Sequence, residues 1–314
     1  MLTKNNVTYK FYFDSLIGLV NTFNTEQKCI EYLELLRWNG NAVSPYDRNS
    51  KVYKCKNNQY KCKNTKKSFN VKTGTLFENT KIEFQKWFVA IFLITSRPKG
   101  IAAHQLVKDL KVTHKTAWYM LHRIRKCFKT KRIKLGGITE ADETYIGGKN
   151  SNRHKSKRER GTQGRSTKYK TPVFGMVERG GDLILEVVND TKANTLIPLI
   201  QANVNSDVHI MTDEWGAYNS LHKDYKHSRI KHKSGQYVDG EIYTNTIEGC
   251  WALLKRGYIG TYHYMSRKYL DKYLDEFAFR HKTRDYTEQD RFQSFFSNMQ
   301  NRLRYKDLVY GEAC

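Results

Sequence analysis

Apolar residues recur at helical spacing through two neighbouring stretches, "KIEFQKWFVAIFLITS" (81–96) and "GIAAHQLVKDLKVTHKTAWYMLHRIRKCF" (100–128). In the second, Ala103, Leu106 and Leu110 share one face, and Val112 and Thr113 make a tight turn. Ala117, Met120, Leu121 and Ile124 then face inward on a following helix, which presents His114, Lys115, Thr116 and Tyr119 outward. That is the pattern of a helix-turn-helix, or of an ordinary helical hairpin. An earlier helix is predicted over "EQKCIEYLELLRW" (26–38). Residues 38–77 hold short β-type runs, VYKC and SFNV, separated by Asn, Lys and Gly turns. A ribbon of hairpins fits, too small for a substantial core and in need of a staple.

From residue 134 the period changes to that of strands. "GGITEADETYIGG" contains one strand, and "TPVFGMVERGGDLILEVVND" reads as two strands joined at Gly180–Gly181. A helix over "TKANTLIPLIQANV", a strand VHIM running into Asp213 and a helix, and a short basic strand HSRIKH follow. A helical region over about 244–285 closes the unit. Strands that then alternate with helices predict a mixed α/β sheet. The expected domains are an N-terminal arm and ribbon (1–80), a helix-turn-helix region (81–132), a catalytic α/β domain (133–290) and a C-terminal tail (291–314).

Composition and charge add a partner. The 314 residues are 39% hydrophobic with only 4 prolines, which suits a globular protein without long Pro-rich linkers. No apolar run approaches a membrane span, and "MLTKNNVTYKFYF" lacks the apolar core of a signal peptide, so a cytoplasmic protein is expected. Lys and Arg total 55 against 31 Asp and Glu, a net charge of +24. An excess of this size points to a polyanion, above all nucleic acid; the bland alternative is a basic surface that keeps the chain soluble. The charge is clustered in "KNSNRHKSKRERGTQGRSTKYK" (149–170), which has no apolar face and is expected to stay mobile until it meets a partner. Lys155, Lys157, Arg158, Arg160, Arg165 and Lys168 there are candidate DNA contacts, as are His114, Lys115 and Thr116. The six cysteines form no CxxC pair and read as reduced thiols.

Three acids stand out against this basic background. Asp142 and Asp213 lie at or near strand ends, and Glu248 opens the last helix in "TNTIEGCWALLKRG". An acid at the end of an apolar strand is costly unless paired, exposed or metal-bound. Three gathered carboxylates would call for divalent cations, and two Mg²⁺ ions suit phosphodiester chemistry. Each acid also has an ordinary explanation: a strand-end ion pair for Asp142, and helix caps for Asp213 and Glu248. Asn245 followed by Glu248 reads as a capping box, and both share a face with Lys255. Trp215 and Trp251 read as core residues rather than base-stacking ones.

"DETYIGGK", "TDEWGAYNSL" and "YTNTIEGCWALLKRGYIGTYHYMSRKYLDKYLDEFAFRHKTR" resemble the catalytic domain of DDE-type insertion-sequence transposases of the ISXO-like branch. "TGTLFENTKI" and the stretch over 100–125 resemble that branch's upstream region, so the likeness covers about 25–285. The resemblance implies an RNase H-like catalytic fold in which Asp142, Asp213 and Glu248 bind two Mg²⁺ or Mn²⁺ ions. Lys255 matches the Lys that follows the third acid in many relatives, and Asn245 is a rival third ligand. It also implies an enzyme that binds element ends, cleaves DNA at a 3′ end and transfers that strand into target DNA as at least a dimer. An RNase H-like nuclease without strand transfer and a catalytically inactive DNA-binding regulator are the alternatives. Relatives carry a zinc ribbon, but here Ser44 and Asp47 stand at the first pair of ligand positions, and only Cys62 of the second pair remains, with Thr65 beside it. Structural zinc needs four N or S donors, so no structural zinc is expected. Tyr46, Tyr53, Tyr60 and Phe69 are expected to hold the ribbon by packing.

Overall fold

The computed structural model describes residues 11–129, 133–148, 150–152, 154–158, 166–230 and 242–311. The chain divides into two compact units: 1–130 with 285–314, and 131–284.

In the first unit, α1 (Leu16–Thr22) and α2 (Glu26–Trp38) begin at Ser15 and Thr25, whose hydroxyls accept the N–H of Gly18 and Lys28. Strands β1 (Val52–Lys54), β2 (Tyr60–Cys62) and β3 (Ser68–Phe69) form an antiparallel ribbon with Val52 opposite Cys62 and Tyr60 opposite Phe69. Helix α3 (Phe84–Ser96) is apolar on most sides and buries Phe84, Trp87, Phe88 and Ile91. Around it lie α4 (Ala103–Leu110) and α5 (His114–Phe128), joined by residues 111–113, with Ala117, Met120, Leu121 and Ile124 buried as the period requires.

The ribbon packs differently from expectation. Tyr60 and Phe69 are buried, but Tyr53 is exposed and Tyr46 only brushes Phe69. Trp38, at the end of α2, fills the gap, with ring centroids 5.1 Å from Tyr60 and 6.0 Å from Phe69. At the positions for which the resemblance implied metal ligands, hydrogen bonds close the loop. Ser44 Oγ accepts the Tyr46 and Asp47 N–H groups at 3.2 and 3.3 Å, and Asp47 Oδ2 accepts Asn64 Nδ2 at 2.7 Å. Desolvation pushes the Cys62 thiol up, but hydrogen bonds from Ser44, Ser50, Thr65 and the Thr65 N–H prevail and hold it down at about 6.

The second unit is a mixed α/β sheet in the order β6–β5–β4–β7–β8. Strands β4 (Ile138–Ile146), β5 (Thr171–Glu178) and β6 (Leu183–Val187) are antiparallel. After helix α6 (Ala193–Asn203), β7 (His209–Thr212) runs parallel to β4, and β8 (Lys226–Arg229) parallel to β7. One face, with Ala141, Phe174, Met176 and Ile210, packs on α6. The other, with Val173 and Val177, packs on α7 (Asn245–Gly257) and α8 (Leu270–Lys282). The expected single closing helical region is broken. A π-helical turn at Tyr258–Tyr262 intervenes, and the Tyr262 hydroxyl donates to buried Glu276, which also pairs with Arg280. After β7 the chain makes two short 3₁₀ turns rather than a helix.

Residues after 284 join the first unit and are no loose tail. Helices α9 (Glu288–Phe295) and α10 (Tyr305–Tyr310) carry buried Phe292 and Leu308. Phe292 meets Phe13 and Phe88 at centroid distances of 5.3 and 5.5 Å.

Candidate active site

Strand alternation decides which residues face α7. Asp142 lies opposite Gly175 and Glu140 opposite Val177, so both acids point to the α7 side. Strands β4 and β7 pair in parallel with Glu140 opposite Met211. Two residues further along the same register, Asp142 lies beside Asp213, just past the end of β7. Asp213 Oδ1 accepts the Trp215 N–H at 2.9 Å, which turns the chain away from the sheet.

The two aspartates feel each other. Desolvation and then the Asp213 charge raise Asp142 to about 6, with Glu248 adding to the rise. Hydrogen bonds from the Glu143 N–H and the Trp251 indole oppose it. Trp251 Nε1 stands 2.9 Å from Asp142 Oδ2. Its ring lies on Gly175, where an added Cβ would sit 2.5 Å from Cη2. Glycine is required at 175 because only a bare backbone lets the indole this close.

Helix α7 starts differently from the capping-box reading. Its cap is Thr244, with no side-chain cap bond, and Asn245 is the first helical residue. Glu248 does not reach back to the Asn245 backbone; its Oε1 accepts the Thr244 hydroxyl at 3.2 Å. One buried N–H of the first turn is answered from the sheet instead. Buried Glu140 accepts the Ile247 N–H at 3.0 Å and the Thr246 hydroxyl at 2.8 Å. Arg179 Nε pairs with Glu140 at 2.7 Å, its Nη2 donates to the Tyr243 carbonyl at 2.9 Å, and its guanidinium carbon lies 3.5 Å from the Tyr243 ring centroid. Glu140 and Arg179 therefore clamp residues 243–247, and neither stood out in the sequence. The available signal was an acid two residues before Asp142, on the same face of a buried strand.

Asn245, Glu248 and Lys255 are exposed on α7. Among the described residues, no three of His, Cys, Asp and Glu converge closely enough to hold a metal ion. Asp142 and Asp213 are neighbours, while Glu248 reaches Asp142 by charge alone. Trp251 is buried as expected, but Trp215 is 40% exposed, its indole donating to the Thr191 carbonyl at 3.0 Å. The core reading of Trp215 is thus corrected: it follows a strand end and faces outward.

Of the candidate DNA contacts, His114, Lys115, Lys155, Arg158 and Lys168 are exposed, and Thr116 is half-buried against Thr113. Arg160 and Arg165 lie outside the described residues, as does the side chain of Lys157. Tyr119 does not face outward freely: its hydroxyl donates to the Leu303 carbonyl at 2.8 Å.

Residues 134–282 match the ISXO2-like transposase domain family. Over that stretch the chain is similar to ISXO2-like transposase domains. A relative, an uncharacterized protein in transposable element ISH50 of Halobacterium salinarum, is 29% identical over 281 residues. The match covers 83% of this chain and 92% of that protein. Among solved structures, the Mos1 strand transfer complex aligns over 69% of this chain and 75% of that one, at 11% identity and a TM-score of 0.29. The Mos1 paired end complex with Mn aligns over 67% and 73%, at 13% identity and a TM-score of 0.27. Scores this low carry no structural argument. The matched stretch spans β4 through α8, so Asp142, Asp213, Glu248, Asn245 and Lys255 all fall within it. No described helix is long and apolar enough to cross a membrane.

Proposed function

We propose that this chain is an insertion-sequence transposase whose second unit is an RNase H-like domain that cleaves DNA at element 3′ ends and joins them to target DNA. The observation that carries the reading is the placement of Asp142 beside Asp213 on parallel strands, tied through Trp251 to the helix that bears Glu248. The donor set is all carboxylate oxygen, and Asp142 is pushed up first by burial and then by its acidic neighbours, a cost that a hard cation would relieve. Asp142, Asp213 and Glu248 are the residues to hold Mg²⁺ or Mn²⁺, as two ions; when bound, such ions activate the attacking oxygen and stabilise the leaving one. Trp251 orients Asp142. Lys255, exposed two turns after Glu248, is placed to meet a DNA phosphate.

In the first unit, α4 and α5 are read as a helix-turn-helix, with His114, Lys115 and Thr116 at the exposed start of its second helix. The ribbon is read as a zinc-free relative of a zinc ribbon, held by the hydrogen bonds around Ser44, Asp47 and Cys62. The basic segment over 149–170 supplies phosphate contacts, which position DNA without reading its sequence. A cytoplasmic protein that assembles as at least a dimer on DNA completes the reading.

The test is a strand-transfer assay with the element's own terminal repeats, Mg²⁺ and a supercoiled target. Joined products are expected. Cleavage without joining would make the protein a nuclease, and binding without either a DNA-binding regulator.

A further inference from the structure

Helix α5 repeats one contact every four residues. Lys115, Tyr119, Arg123 and Cys127 lie on a single face, and the segment after α9 runs antiparallel along it. Cys127 Sγ reaches the Asn301 carbonyl at 3.7 Å, and Tyr119 donates to Leu303. The Tyr119 and Tyr305 rings meet edge to face at 5.4 Å, and Lys115 Nζ stands 5.0 Å over the Tyr305 ring. Burial alternates along residues 302–304. Leu303 is buried at 2% exposure, while Arg302 and Arg304 face solvent, followed by exposed Lys306.

This strap and α5 enclose a pocket of about 280 Å³. Arg123, Arg302, Arg304 and Lys306 line it, with Tyr119, Tyr305 and the acid Glu78. Arg123 is 4% exposed and stacked 5.4 Å from both the Trp87 and Tyr119 rings. One of its nitrogens donates to the Glu78 carbonyl, but its buried Nε has no hydrogen-bond partner among the described residues. Glu78 pairs with Arg302 at 2.9 Å, and Asp307 with Arg304 at 2.6 Å. Glu78 and Asp307 thus offset part of the charge of these four cations. Burial pushes the Arg123 guanidinium down; Tyr119 and Cys127 oppose this, and the Arg302 charge adds to it.

We propose that this pocket is a phosphate site in which the strap and α5 together grip the backbone of bound DNA. This inference rests on the DNA-binding reading above and gives the C-terminal segment a role in it. A buried Arg with an unmet donor, at the head of a row of cations, suits a phosphodiester oxygen. The row, rather than a single charge, favours a polyanion over a free anion. The Arg302–Glu78 pair is half-exposed, so a phosphate can compete for it at little cost.

The test measures binding of a random-sequence 30-bp duplex against salt concentration, because phosphate contacts are independent of sequence. For Arg302→Gln with Lys306→Gln, affinity is expected to fall roughly three- to tenfold and the salt slope by about one per phosphate lost. Arg302→Lys with Lys306→Arg keeps the charge and is expected to retain most of both. Lys306→Gln alone, at an exposed position, gives the same reading if the double variant folds poorly. An unchanged slope with wild-type binding intact overturns the pocket and leaves the DNA-binding reading standing. Tighter binding by the variants also overturns it, because the strap would then be screening α5. A melting-temperature rise with inorganic phosphate at matched ionic strength, lost in the variant while duplex binding is unchanged, would make it a free-anion site and sink the proposal. If the wild-type protein binds no duplex, both readings fall.

Discussion

The Trp251 indole donates to Asp142 Oδ2 at 2.9 Å, so the helix carrying Glu248 holds the Asp142 carboxylate directly. Trp251→Phe keeps the ring and removes the donor. A hydrogen bond to a charged acceptor is worth about 1.5–3 kcal/mol, so joining should slow by on the order of tenfold or more. The indole lowers the Asp142 pKa, so its loss should move that carboxyl above its present value of about 6, readable by NMR titration.

Gly175 is the floor under the same ring. Gly175→Ala puts a methyl 2.5 Å from Trp251 Cη2 and 3.0 Å from Ile247 Cδ1, and both belong to α7. Overpacking of this kind costs about 1–3 kcal/mol, measurable by denaturant melts. In a Trp251→Ala background the same change should cost little, and additive losses in that double-mutant cycle would contradict the contact.

Glu140 is expected to matter more to the fold of the second unit than any site acid. Glu140→Gln leaves Arg179 without its carboxylate and weakens the start of α7, a loss of about 3 kcal/mol. Glu140→Gln with Arg179→Met removes both charges and should recover part of it. A single variant as stable as wild type would show that the clamp contributes nothing.

Much of this was legible in local pattern. The buried positions of α5 follow the helical period, and the β5–β6 turn follows from Gly180–Gly181. Asp213 was visible as an acid at a strand end, but Asp142 was misplaced: it stands mid-strand in β4, whose pairing with β5 runs on to Ile146, and only the buried apolar surroundings made it conspicuous. What escaped were partnerships across long stretches of chain. Asn245 and Glu248 fit a capping box by spacing, yet a carboxylate from β4 answers the helix start, and no local rule sees a partner 107 residues away. The strap escaped for the same reason: its alternation of Arg and Leu is four residues long and gains meaning only against α5. Trp215 was misjudged because composition favours burial of Trp, whereas its place after β7 puts it at the sheet's rim.

His227 gives the second unit an acid limit. Its Nε2 lies 3.0 Å from Thr212 Oγ1, whose single hydrogen goes to the Asp213 carbonyl, so Nε2 carries the proton and Nδ1 is bare. Burial, then Arg229, His222 and His209, lower its pKa from 6.5 to about 4. A depressed folded value means the unfolded chain binds more protons between these limits. Stability is therefore full above about 6.5 and lost as pH falls towards about 4, by about 1–2 kcal/mol after allowing for solvent screening. His227→Gln should flatten that part of the stability-against-pH curve, leaving a smaller slope from His209, which burial also lowers.

Glu248 and Asn245 compete for the role of third ligand, and their surroundings separate them. Glu248 acts on Asp142 through its charge and is steadied by the Thr244 hydroxyl. Asn245 is exposed at the first helical position and caps nothing. Glu248→Gln keeps the shape and removes the charge. It should leave folding and duplex binding intact, lower the Asp142 pKa, and abolish both joining and the rise in melting temperature with Mn²⁺. Asn245→Ala should change stability by no more than about 0.5 kcal/mol, as exposed substitutions do, and leave joining near wild type. Joining by Glu248→Gln at the wild-type rate, with Asn245→Ala inactive, would falsify the assignment and move the third oxygen ligand one turn towards the start of α7. Loss of joining in both variants, with the Mn²⁺ response lost only in Glu248→Gln, would keep Glu248 as the ligand and make Asn245 a DNA contact.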